Sequence, residues 1–285
     1  MSLTDTHPEG EILSPAPSPT PTEAYSPEQA RRRREYGNWD PRAAPATYLL
    51  LVVNCAVYLW MCAHGVSPRD PTPNDLLHYG ASQTADILQG QWYRLLTATF
   101  VHVGLLHLAT NMWCLWNLGM LGEPLVGPMG MVAVYMLTGI AGNLLGMASN
   151  LVGYQATHNP MLLYIPGAGA SGAVFGIAGI LIVLLSNRRL PFPWSDLQQL
   201  RRRVVQFAAI NLVIGIVANR LPTGIQIDNM AHIGGFVSGL ALGVPLVPRM
   251  TSGRVRYLRR QRVSFAVACL VLALFGYAVV RFAAS

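Results

Sequence analysis

Seven apolar stretches, each near the roughly 20 residues that a membrane helix needs, succeed one another along the chain. They cover 46–63, 104–121, 131–151, 171–185, 205–221, 230–247 and 263–282. The pattern predicts an all-α protein that crosses a bilayer seven times. Residues 1–45 break it: the stretch from Ser14 to Thr22 is proline-rich and polar, cannot bury a core, and reads as a disordered tail. The tail lacks the apolar stretch of a cleavable signal peptide, so the chain is expected to engage the membrane through its first span.

Composition agrees. With 52% hydrophobic and 12% charged residues in 285, the chain is too apolar for a soluble domain. The net charge of +7 does not point to nucleic acid, because the arginines gather between spans. Arg31–Arg34 precede the first span, Arg188, Arg189 and Arg201–Arg203 follow the fourth, and six arginines from Arg249 to Arg262 follow the sixth. The positive-inside rule then sets the N-terminus in the cytoplasm, and an odd number of spans sets the C-terminus outside. Cys55, Cys62, Cys114 and Cys269 all lie in apolar runs and read as small packing residues.

The polar residues left inside the spans are the candidate chemistry. The second span opens with His102, His107 and Asn111; the four-residue step puts His107 and Asn111 on one helix face, and His102 faces elsewhere or precedes the helix. No carboxylate sits between the histidines, so the HExxH zinc arrangement is not met, and no metal or cofactor site is expected. The fourth span begins at Gly169-Ala170-Ser171-Gly172, a nucleophile-like serine turn, and His232, the only histidine downstream of it, opens the sixth. Measured from the cytoplasmic ends of their spans, His107, Ser171 and His232 each lie about 15 residues up, or about 22 Å at helical rise. Three separate segments thus bring them to one depth. Close approach is written beside them: Gly172, Gly176 and Gly179 face one way, while Ala231, Gly235, Gly239 and Gly243 recur every fourth residue, the small-residue spacing of membrane helices packed backbone to backbone.

The ordered set Trp92-Tyr93-Arg94, His102-x4-His107-x3-Asn111, Glu123, Gly169-x-Ser171-Gly172 and Ala231-His232-x2-Gly235-x3-Gly239 resembles the rhomboid intramembrane serine proteases, over about 46–247. The seventh span makes the chain similar to the six-plus-one members. The resemblance implies a six-helix catalytic domain over 46–248, followed at 249–285 by a basic cytoplasmic loop and a seventh transmembrane helix, in a bacterial plasma membrane. It implies Ser171 as nucleophile and His232 as its base, a dyad without a third carboxylate, with His107, Asn111 and the Ser171 N–H as oxyanion hole. Phe175 stands where the family commonly has a tyrosine stacked on the histidine, so stacking is kept and the hydroxyl is lost. Trp92, Arg94, His102 and Glu123 match structural positions, and Asp228, one turn before His232, is expected to complement the helix dipole. Substrates would be transmembrane proteins reaching the dyad sideways through the lipid bilayer near the second and fifth spans, with small residues at the cleavage site, and water would enter from outside beneath the loop at 221–228. A catalytically silent client-binding relative would have lost Ser171 or His232, and a transporter would commonly show an internal repeat.

Overall fold

The computed structural model describes residues 42–188, 190, 192–220, 227–247 and 253–284. The expected disordered tail therefore lies almost wholly outside the described residues. Among these, ten α-helices and one 3-10 turn follow in the order α1 (Pro45–Ala63), α2 (Pro73–His78), α3 (Thr84–Leu88), α4 (Arg94–Thr97), α5 (Leu105–Val126), α6 (Pro128–Thr157), the turn Pro160–Tyr164, α7 (Ser171–Leu184), α8 (Trp194–Ala218), α9 (Asn229–Leu246) and α10 (Arg254–Ala283). The seven apolar stretches become α1 and α5–α10. Strand pairing among the described residues amounts to one isolated bridge, Ser82 to Gly167.

Four helices, α1, α6, α9 and α10, are long and apolar enough to cross a membrane on length and composition alone. The other three fall short for physical reasons. α7 has only 14 residues, about 21 Å at helical rise, and its Ile177, Ile180, Leu181 and Leu184 are wholly buried, so it is solvated by neighbouring helices rather than by lipid. α5 carries the polar residues of the site. α8 begins at Trp194 rather than near 205, which places Arg201–Arg203 on the helix and corrects their expected loop placement. Arginine is a good helix former, so the helix runs on past the apolar segment. The same correction applies to the seventh stretch, where α10 starts at Arg254 and carries Arg256, Arg259, Arg260 and Arg262 on its first turns.

α7 sits at the centre, in contact with α5, α6, α8 and α9. Outside this core the apolar side chains face away from the protein, as Val213, Ile214 and Val217 do on α8 and Leu270, Val271 and Leu274 on α10. That surface suits hydrocarbon and not water. α10 lies against α6 and α9. Its Gln261 donates to the Val126 carbonyl at 2.8 Å, satisfying one of the acceptors that the end of α5 leaves open.

Glu123, on the same last turns of α5, performs the matching service for the start of α1. From α5 its buried carboxylate accepts the Ala46 N–H at 2.9 Å, the Thr47 N–H at 2.7 Å and the Thr47 hydroxyl at 2.7 Å. A helix N-terminus carries unpaired N–H groups and partial positive charge, and here a side chain from a distant helix satisfies both. Arg94 does the same for the segment between α1 and α5: its guanidinium donates to the carbonyls of Leu77 and Ala81 at 2.8 Å each and lies 3.4 Å from the Asp86 carboxylate. Trp92 packs near Gly276 of α10.

Candidate active site

Ser171 is the first residue of α7, so its N–H has no acceptor within the helix and its hydroxyl leaves from the positive end of the helix dipole. The turn before it is held on both sides. Gly169 takes φ +131°, a conformation that side chains rarely adopt, and its N–H donates to the Ala98 carbonyl at 2.9 Å. His102, fully buried and ahead of α5 rather than within it, accepts the Ala170 N–H on Nε2 at 3.4 Å, and its Nδ1 lies 3.2 Å from the Phe100 carbonyl. One tautomer, with the proton on Nδ1, satisfies both contacts.

The α7–α9 contact is made by main chain. A side chain at Gly235 would run into the Gly172 carbonyl, and one at Gly239 into that of Gly176. α6 joins them through Gly142, where a Cβ would stand 2.6 Å from the Ala231 carbonyl and 3.4 Å from Gly172 Cα. The periodic glycines thus meet as their spacing predicts, and the third partner, α6, is new. At this distance His232 Nε2 reaches Ser171 Oγ at 2.9 Å. The Phe175 ring stacks on the imidazole with centroids 4.4 Å apart and planes 9° from parallel. His232 Nδ1 is buried and meets no described hydrogen-bond partner. Asp228 is turned away to cap α9, accepting the Ala231 N–H at 2.9 Å.

His107 and Asn111 complete the group from α5. The His107 ring lies against Gly169, where a Cβ would meet its Cε1 at 2.6 Å and its Nε2 at 3.0 Å. The Val103 N–H donates to its Nδ1 at 3.4 Å, which leaves the other nitrogen, facing the serine turn, as an N–H. Asn111 is buried, and one of its amide protons goes to the His107 carbonyl at 2.9 Å. α5 runs on to Val126, beyond the expected Leu121, and His107 nonetheless lies level with the serine turn. Contact with Gly169 is what sets its level.

A serine at a helix N-terminus, a histidine in hydrogen-bond range and the His107 ring against the same turn form an arrangement suited to acyl-transfer chemistry. The Rhomboid domain family matches residues 89–249, which spans every one of these groups. The chain belongs to the rhomboid family. It is similar to Rhomboid protease GluP of Bacillus subtilis, with 30% identity over 76% of this chain and 39% of that protein. Rhomboid protease AarA of Providencia stuartii is 30% identical over 72% of this chain and 73% of its own length. Rhomboid-like protease 2 of Toxoplasma gondii is 28% identical over 82% and 77% respectively. The chain thus spans well under half of GluP and about three quarters of the other two. By this kinship it is a helical, multi-pass membrane hydrolase of the rhomboid serine protease kind.

Water is expected to enter beneath the loop at 221–228, and what sequence reasoning missed is the lining of the cavity beside the site. A space of about 450 Å³ is walled by polar side chains of four segments, among them Ser82, Gln83, Asn143, Asn150, Asn219 and Asp228. Asn143 and Asn150, seven residues apart in the third apolar stretch, were the available signal. Part of the loop expected to cover the site, 221–226, lies outside the described residues.

Proposed function

We propose that the protein is an intramembrane endopeptidase in which Ser171 and His232 carry the reaction on transmembrane protein substrates. The observation that carries this reading is the 2.9 Å contact between Ser171 Oγ and His232 Nε2 on two helices locked through their backbones. Ser171 Oγ attacks the scissile carbonyl carbon while His232 Nε2 takes its proton, and the carbonyl oxygen becomes an oxyanion. His107, Asn111 and the Ser171 N–H donate to it. Collapse breaks the C–N bond and the leaving amine takes the proton from His232. Water then attacks the acyl-enzyme with His232 again as base, releasing the carboxylic acid and restoring Ser171. Residues 46–248 hold this machinery, and 249–285 add the basic segment and α10.

The test is cleavage of a transmembrane reporter in parallel with labelling by a fluorophosphonate. The wild type is expected to cleave the reporter and carry the label on Ser171. Ser171→Ala and His232→Ala each abolish cleavage, and the double variant is no worse than either, because the two residues act as one unit. Activity falls as pH drops and His232 gains a proton, since only the neutral ring can act as base. Retained cleavage in Ser171→Ala sinks the reading.

A further inference from the structure

Between α4 and α5 the residues Ala98, Thr99 and Phe100 offer three successive carbonyls, and each is held by a different donor. The Ala98 carbonyl takes the Gly169 N–H at 2.9 Å. The Phe100 carbonyl lies 3.2 Å from Nδ1 of His102, which accepts the Ala170 N–H on its other nitrogen. Gly169 and Ala170, the two residues before Ser171, are thus tethered to the two ends of this triplet. In its middle, the Thr99 carbonyl accepts from the Tyr135 hydroxyl of α6 at 3.1 Å.

The hydroxyl is aimed. Tyr135 and Asn54 of α1 are both wholly buried, and Asn54 gives one amide proton to the Leu50 carbonyl at 2.7 Å and the other to Tyr135 Oη at 3.0 Å. The hydroxyl has a single proton and two acceptors in range, the Thr99 carbonyl at 3.1 Å and Asn54 Oδ1 at 3.2 Å. Giving it back to Asn54 would leave a buried backbone carbonyl with no other donor among the described residues, so it belongs to Thr99. Gly139, one turn beyond Tyr135, lets the triplet close on α6: a Cβ there would stand 2.5 Å from Thr99 Cγ2. The Phe100 ring lies on the Tyr135 ring, with centroids 5.6 Å apart. A phenylalanine would serve that packing equally well, so the hydroxyl has another use.

We propose that Tyr135 is a positioning residue: its hydroxyl, oriented by Asn54, fixes the Thr99 carbonyl and so keeps the Gly169–Ala170 turn in place against His107. The inference rests on the protease reading above. Without the hydroxyl the Thr99–Phe100 peptide plane can turn, and the two tethers of the serine turn then move relative to each other. α7 stays seated on α9 through its glycines, so the Ser171–His232 contact survives. What shifts is the turn that meets the His107 ring, where the oxyanion forms.

The experiment uses the full-length protein in proteoliposomes and follows fluorophosphonate labelling of Ser171 over time. The final extent of labelling counts the folded molecules, and the rate constant reports how reactive each one is. Tyr135→Phe keeps the ring and removes only the hydroxyl. Its labelling rate constant and its kcat on a transmembrane reporter are expected to fall by about ten- to a hundredfold, the scale set by misplaced reacting groups, with KM and the extent of labelling unchanged. Asn54→Ala withdraws the orienting donor but leaves the hydroxyl, so its rate constant is expected to fall by less. Glu123→Ala, which also strips buried N–H groups of their acceptor, serves as the control and should label at the wild-type rate constant. A wild-type rate constant in Tyr135→Phe, whatever the extent, overturns the proposal and leaves the protease reading standing. Should that variant yield no folded protein, Asn54→Ala decides in its place, and a wild-type rate constant there overturns the proposal. Absence of both cleavage and labelling in the wild type instead sinks the protease reading, and this role with it.

Discussion

If His107 and Asn111 donate to the oxyanion as proposed, they act on a charge that exists only during the reaction, so removing either should lower kcat more than it raises KM. For His107→Ala and Asn111→Ala we expect losses of about 10²- to 10³-fold in kcat, the scale of a lost oxyanion donor. Steady-state kinetics on the reporter would show it. A raised KM with unchanged kcat would assign them to substrate binding. Phe175 acts more weakly, because its ring only holds the imidazole in plane. Stacked aromatic pairs contribute about 0.5–1.5 kcal/mol beyond area burial, so Phe175→Leu is expected to slow turnover by about two- to twelvefold while Ser171 still takes the fluorophosphonate. A loss as large as that of His232→Ala would show that the ring does more than orient its neighbour.

At the scale of elements, the glycine contacts and the carboxylate cap should behave differently. Gly235→Ala drives a methyl group into the Gly172 carbonyl, and neither helix has a rotamer that relieves it. Overpacking of this kind costs about 1–3 kcal/mol, and here it also opens the Ser171–His232 gap. Fluorophosphonate labelling should fall even in protein that remains folded. Glu123→Ala leaves two buried N–H groups and a hydroxyl without their acceptor, far from the dyad. A loss of about 1–3 kcal/mol of stability is expected for buried donors left unpaired, read as a lower melting temperature in detergent with activity at low temperature retained. These elements differ too in how they announce themselves. The four-residue glycine rhythm is a local pattern with one physical meaning, so the sequence predicts the α7–α9 contact. Glu123 and Asn143 are single polar residues in apolar runs, and their partners, Ala46 and the Leu95 carbonyl, are far away along the chain. Nothing local names such partners. α8 and α10 start earlier than hydropathy predicts because arginine extends a helix without adding hydropathy.

For the whole molecule, the positive-inside rule leads us to propose that the arginine-bearing starts of α8 and α10 are cytoplasmic. We expect a cytoplasmic N-terminus and an external C-terminus. Protease protection of tags at the two ends in oriented vesicles should show them on opposite sides; tags on the same side would remove one span from the count.

A joint made of side chains can loosen by rotamer hops, whereas one made of main chain has no such freedom. α7 and α9, with α6 wedged at Gly142, therefore form a rigid keel, and the serine and histidine ride on it as fixed fittings. Any motion that admits a substrate must then be found elsewhere in the hull. α8, with only Leu197, Val204, Ala208 and Gly215 buried along its 25 residues, is a loosely fastened plank beside the keel. Opening there would leave the spacing of the reacting atoms untouched, so the protein can breathe without taking its chemistry apart.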